Sequence, residues 1–250
     1  MKLKQNNMSM VKITFYILIF FSINLLGQEI FKDKIYGYSI SLSKTKSEKF
    51  NLVVSKNDRK LLNLTFPVIQ LYLYNLDSDE NDELILVKRY LENADTLNTL
   101  LIYKFFPSFR FCDSIQLGKY FPEFIKFDFE KPYLLKVYHF EIEEYFKSTL
   151  PDLPFAFYTL ANCELKIENE ESFEAYEAEI YYLIDQIYQL KKNLSCDDEN
   201  KKADLQRLLA CIYVNLLNSE IAIRFNDILK ENYNCPDAIE FYSKLKEIYE

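Results

Sequence analysis

The sequence predicts an α+β protein: an N-terminal antiparallel β-sheet domain followed by a C-terminal three-helix segment. Between residues 35 and 167, apolar residues alternate with polar ones or form short runs bounded by polar turns, as strands do. From Phe173 the apolar positions step by three and four, as one face of a helix does. Ahead of both, residues 1–27 read as a cleavable signal peptide, which leaves 28–168 as the β-rich domain and 169–250 as the helical segment.

The N-terminus carries Lys2, Lys4 and Lys12 and no acid before the apolar run ITFYILIFFSINLL (13–26) and Gly27. That run has 14 residues, with Thr14, Ser22 and Asn24 inside it, whereas a spanning helix needs roughly 20 apolar residues. No Cys stands at its exit to accept a lipid anchor, and no later stretch is apolar enough to span a membrane. The expected product begins near Gln28 and is periplasmic or secreted. Loss of the three lysines moves the net charge from −8 to −11.

The strands follow in order. IYGYSISL (35–42) alternates as a half-buried strand. FNLVVS (50–55) and KLLNLTF (60–66) flank Lys56-Asn57-Asp58-Arg59, a polar turn suited to a hairpin. VIQLYLY (68–74) and ELILVKRYL (83–91) enclose an acidic loop. TLLIYKFF (99–106) and SFRFCDSIQL (108–117) meet at Pro107, which suits a turn or a sheet edge. Shorter strands are expected at 123–129, 133–142 and 155–167, and the pattern over 133–147 fits a strand or a helix equally.

In the helical segment, Phe173, Tyr176, Ile180, Leu183, Ile187, Leu190 and Leu194 form one stripe, with Ser172 placed to cap it. A second helix is expected from about Lys202 to Glu231, with Leu205, Leu208, Leu209, Ile212, Leu216, Ile223 and Phe225 on its apolar side. Asn234-Cys235-Pro236-Asp237 reads as a cap with Pro in the first turn. A third helix then turns Ile239, Tyr242, Leu245 and Ile248 inward.

Composition narrows the function. An acidic chain without a basic cluster argues against nucleic acid, which is held by cations replacing phosphate counterions. With 3 glycines, no Gly-rich phosphate loop can be written. The 21 Phe and 20 Tyr supply a large core. Cys112, Cys163, Cys196, Cys211 and Cys235 are odd in number, so at least one is free or pairs with another chain; no CxxC occurs, and spacing leaves the pairing open.

One motif carries chemistry. In Asn75-Leu76-Asp77-Ser78-Asp79-Glu80-Asn81-Asp82-Glu83, oxygen side chains fall at the first, third, fifth and ninth positions, and the seventh can offer its carbonyl. Alternate residues of a curled loop point inward, the arrangement by which Ca²⁺ gathers its 6–8 oxygens. This strand–NLDSDENDE–strand unit resembles the calcium loop of FG-GAP/VCBS repeats, found in integrin-alpha-like propellers, whose pattern is D-x-[DN]-x-D-G-x-x-D before an apolar strand. The resemblance covers residues 68–91 and implies a calcium-stabilised hairpin rather than an activity. It assigns Asn75, Asp77, Asp79 and Glu83 as side-chain ligands and Asn81 as a carbonyl ligand. The sequence departs from it at Asn75, where the family has Asp, and at Glu80, where the family has Gly for a left-handed turn.

Catalytic signals are sparse. His139 is the only His, Cys112 stands 27 residues before it, and no GxSxG elbow is present. Glu141, Glu143, Glu144 and Asp152 supply carboxylates without placing two across a cleft. The sequence therefore favours an exported, non-catalytic binding or interaction protein, calcium-stabilised, with a protein or glycan partner. Its alternatives are a secreted hydrolase with a carboxylate site and a periplasmic inhibitor or immunity-type protein.

Overall fold

The computed structural model describes residues 29–92, 95–192 and 195–249. Residues 1–27, where a signal peptide is expected, and Leu194 lie outside the described residues. Within them the chain is α+β, as expected, with three antiparallel sheets of four strands ahead of the main helices.

The first sheet comprises β1 (Glu29–Ile35), β2 (Tyr38–Lys44), β3 (Phe50–Lys56) and β4 (Arg59–Phe66); the second comprises β5 (Val68–Tyr74), β6 (Glu83–Glu92), β7 (Asp95–Lys104) and β8 (Arg110–Gly118). The third comprises β9 (Glu123–Ile125), β10 (Leu134–Tyr138), β11 (Phe155–Ala161) and β12 (Glu164–Ile167). In every sheet the strands lie side by side in chain order. The single strand expected over 35–42 is instead a hairpin, because Tyr36 and Gly37 both take positive φ, the conformation of a tight two-residue turn. Asn57 and Asp58 do the same between β3 and β4.

The sheets stack. Ile40, Leu42, Leu52 and Val54 of the first pack on Leu84, Leu86, Leu101 and Tyr103 of the second. The opposite face of the second sheet, Ile85, Val87, Leu100 and Ile102, packs on Leu135, Val137 and Leu160 of the third. The far face of the third, Leu134, Phe155 and Phe157, meets Tyr176 of the first long helix. The middle sheet is thus buried on both sides, which is why β6 and β7 read as unbroken apolar runs, while the first sheet alternates because one face is wet.

The ambiguous 133–147 region is both things in succession: strand β10, then a one-turn helix α1 (Ile142–Tyr145). Beyond it stand α2 (Phe173–Lys191), α3 (Glu199–Ser219), α4 (Phe225–Asn232) and α5 (Ala238–Tyr249). The second expected helix is therefore two. Glu220 takes a left-handed φ of 55°, and Asn218 at the end of α3 donates its amide to the Phe155 carbonyl at 2.9 Å, so the chain turns before α4. The α2 stripe is buried at Tyr176, Ile180, Leu183 and Ile187, but Phe173 is exposed. In α5, Phe241 and Leu245 face the core, while Ile239 faces solvent.

Disulfides join Cys112 to Cys163 and Cys196 to Cys235, leaving Cys211 free and buried. The first ties the second sheet to the third, and the second ties the α2–α3 connection to the α4–α5 connection. No helix among the described residues is long and apolar enough to cross a membrane.

Candidate cation site in the loop between β5 and β6

The loop hangs between two paired strands whose register runs from Val68 opposite Arg89 to Tyr74 opposite Glu83. Leu76 is fully buried and anchors it. Glu83 already belongs to β6, and its side chain turns back into the loop: Oε2 accepts the Leu76 amide at 2.7 Å. Asp77 accepts the Asp79 amide at 2.9 Å, and Asp79 accepts the Asn81 amide at 3.0 Å. These local bonds, typical of Asp in turns, curl the chain so that carboxylates of alternate residues face inward. Glu80 takes a left-handed φ of 66°, so the turn that the calcium-loop pattern assigns to Gly is made here by Glu.

The curl brings together Asp77, Asp79 and Glu83, three of the five expected ligands, with one oxygen from each lying within 4.8 Å of the others. Asn75 keeps its side-chain oxygen buried without a hydrogen-bond partner among the described residues. Asn81 spends its side-chain amide on the Asp79 carbonyl at 2.9 Å.

Sequence reasoning missed Lys104. The β6–β7 register pairs Leu84 with Tyr103, and one further step sets Lys104 opposite Glu83. Its ammonium bonds Asp77 Oδ2, lies 2.9 Å from Asp79 Oδ2 and 3.7 Å from Glu83 Oε1. The Lys104 side chain is 11% exposed. The signal was a lone lysine inside TLLIYKFF, since a cation in a buried strand needs an acid.

Burial pushes the Glu83 carboxyl up to about 7, helped by the neighbouring Asp77 and Asp79 and opposed by the Leu76 amide and Lys104. Burial also works against charge at Asp79, but bonds from Lys104 and the Asn81 amide outweigh it and hold Asp79 below the ordinary carboxylate range. Lys104 is likewise desolvated, yet Asp77 and Asp79 raise its pKa.

As a calcium site, the donor set is right in type, and Glu83 Oε1, buried and without a hydrogen bond among the described residues, is an oxygen a cation would take. Asp77, Asp79 and Glu83 would hold the ion, and it would supply charge neutralisation and cross-linking of the loop. It would have to do so where the Lys104 ammonium stands.

The loop is also a joint. Its Asn75 carbonyl accepts the Tyr133 amide at 2.8 Å, and its Leu76 carbonyl accepts the Leu160 amide at 2.9 Å and the Thr159 hydroxyl at 3.0 Å. On the other side, the Asp82 amide donates to the Tyr36 hydroxyl at 3.1 Å. One segment thereby fastens the β1–β2 turn, the middle sheet and the third sheet.

The groups considered for catalysis sit elsewhere. His139 Nε2 is buried without a hydrogen-bond partner among the described residues, and its ring meets the Tyr249 ring edge-on at 6.0 Å; burial lowers its pKa to about 4. Cys112 is consumed in a disulfide. Glu143 accepts bonds from Tyr120 and Lys119. No known protein family, curated protein or solved structure matches this chain.

Proposed function

We propose that this is an exported, non-catalytic interaction protein that binds another protein through an aromatic strip, with the β5–β6 loop serving as an internal clip. The strip runs from the β9–β10 connection along α2. Phe129, in the connection between β9 and β10, is 96% exposed. Phe127 of the same connection is anchored by its ring contact with Phe157 at 5.4 Å and is itself half exposed. Lys131 pairs with Glu171 at 3.0 Å, which holds this connection beside the start of α2. Along α2, Phe173, Tyr181 and Tyr188 are all exposed. They are eight and fifteen residues apart, which puts them within about 80° of one another around the helix.

Exposed aromatics in one strip are unusual on a surface with no partner and are enriched where proteins meet. Glu174 and Asp185, exposed beside the strip, favour a partner with a basic rim. Two disulfides support an oxidising destination, in keeping with the basic-then-apolar N-terminus.

Two measurements test this. Mass spectrometry of the expressed chain should find the mature N-terminus near Gln28; retention of residues 1–27 rejects export. Purified protein and the F129S/Y181S/Y188S variant should then be compared for capture of a partner from the extracytoplasmic fraction. With melting temperature unchanged, the variant should lose at least about tenfold in affinity. Equal capture by both rejects the strip.

A further inference from the structure

Three acids gather at the joint of three sheets, and one lysine faces all of them. We propose that Lys104 is the resident cation of this loop, so that the wild-type hairpin is ordered without metal and a divalent-cation site opens only when the lysine charge is removed.

The geometry supports this in four ways. First, Lys104 reaches the point on which Asp77, Asp79 and Glu83 converge, so its ammonium stands where an ion would sit. Second, each aspartate has one oxygen engaged by a loop amide, Asp79 N on Asp77 Oδ1 and Asn81 N on Asp79 Oδ1, while Oδ2 of each is turned to the lysine. The loop is thus shaped around a cation, and the cation is supplied by β7. Third, the fit is incomplete in the manner expected of a substitute. An ammonium has three donors and a small radius of reach, and it leaves Glu83 Oε1 at 3.7 Å, buried and without a hydrogen bond among the described residues. A divalent ion with 6–8 oxygen places would draw that oxygen in. Fourth, the lysine is tethered to a paired strand, so it meets the loop as an intramolecular partner, without the entropic cost of capturing a free ion. Two cations a few ångströms apart in a mostly buried site repel strongly, so occupation by the lysine and by a divalent ion is mutually exclusive.

This arrangement suits a joint. A loop that fastens Tyr36, Tyr133 and Leu160 keeps its shape whatever the calcium supply.

The test is a thermal melt and a calorimetric CaCl₂ titration of the mature protein and four variants. Wild-type melting temperature should shift by less than about 1 °C between EDTA and roughly 5 mM Ca²⁺, with no measurable binding heat. Lys104→Met, which keeps the stem and removes the charge, should melt lower in EDTA and recover with Ca²⁺, binding it with a dissociation constant of about 1 mM or tighter. The K104M/D79N double variant should lose that binding at least about tenfold. Lys104→Arg should remain indifferent to Ca²⁺. If Lys104→Met fails to fold in EDTA, it and Lys104→Gln should be refolded with Ca²⁺ present, and recovery is the expected result. The proposal is overturned if the wild type is stabilised by Ca²⁺ as much as K104M is. It is equally overturned if neither neutral variant binds or is rescued by Ca²⁺. Both results would leave the aromatic strip standing, since none of its residues belongs to the loop.

Discussion

Two largely buried cations, one in the sheets and one in the helices, solve the same problem in different ways. Lys104 is surrounded by three carboxylates supplied by one nine-residue loop. Arg207 of α3, 2% exposed, is held mainly by neutral carbonyls: Nε donates to Asp152 O at 2.7 Å, Nη1 donates to Phe146 O at 3.4 Å, and Nη2 lies 3.8 Å from Glu143 Oε1. The compact ammonium suits a nest of oxygens from a single turn. The planar, five-donor guanidinium suits a span across separate segments, and here it locks the chain after α1 to the middle of α3. The first site is written locally in the sequence, and the second exists only once the fold has formed.

Removing the arginine should have the largest effect. Arg207→Leu strands the Asp152 and Phe146 carbonyls and should cost about 3–5 kcal/mol in urea unfolding, with the third sheet and helices loosening together. A loss under about 1 kcal/mol would show that the guanidinium does not hold these segments. Next in size is the tie between the second and third sheets. Cys163→Ser should lower stability by about 2–4 kcal/mol, and hydrogen exchange should locate the loosening at β8 and β11–β12, not in the helices.

Burial gives the two halves opposite responses to pH. Glu83 has a folded pKa of about 7, above its unfolded value, so its contribution is complete below about pH 4.5 and is lost as pH rises through 7. His139 has a folded pKa of about 4, below its unfolded value, so its contribution is complete above about pH 6.5 and is lost as pH falls through 4. Each arm is worth roughly 3 kcal/mol. Glu83→Gln should flatten the alkaline arm and His139→Phe the acid arm, read from denaturant midpoints across pH. If one substitution flattens both, the two halves are not separate.

The smallest effect expected is a gain. Glu80 is held at φ 66°, where a side chain is strained, so Glu80→Gly should stabilise by up to about 1 kcal/mol. That corresponds to a rise of roughly 2–4 °C in melting temperature.

Features set by local period and spacing stand in the sequence, and those set by tertiary contact do not. The strand pattern of FNLVVS and KLLNLTF, the turn at Asn57-Asp58, and the convergence of Asp77, Asp79 and Glu83 were readable because period and spacing are local properties. The hairpin at Tyr36-Gly37 was missed because IYGYSISL alternates straight through it, and only backbone sign separates a strand from a turn there. The break at Glu220 was missed because no Pro or Gly marks it; the reversal is set by tertiary contacts such as Asn218 with Phe155. Ile239 was expected inside because it is apolar, yet Phe241, two residues on, takes the core. Lys104 was the costliest omission. It lies 21 residues beyond Glu83, and nothing except the β6–β7 register brings it to the loop.

The side-by-side order of strands within each sheet bears on how the chain reaches this state. Pairing consecutive strands closes only short loops, which favours rapid local assembly. The first meander is complete once Phe66 has emerged from a ribosome or a translocation pore. The second then has one apolar face covered, and its other face stays bare until β10 and β11, more than fifteen residues beyond Gly118, arrive to meet it. During that interval an apolar sheet face has no partner, the kind of transient surface through which incomplete chains stick to one another.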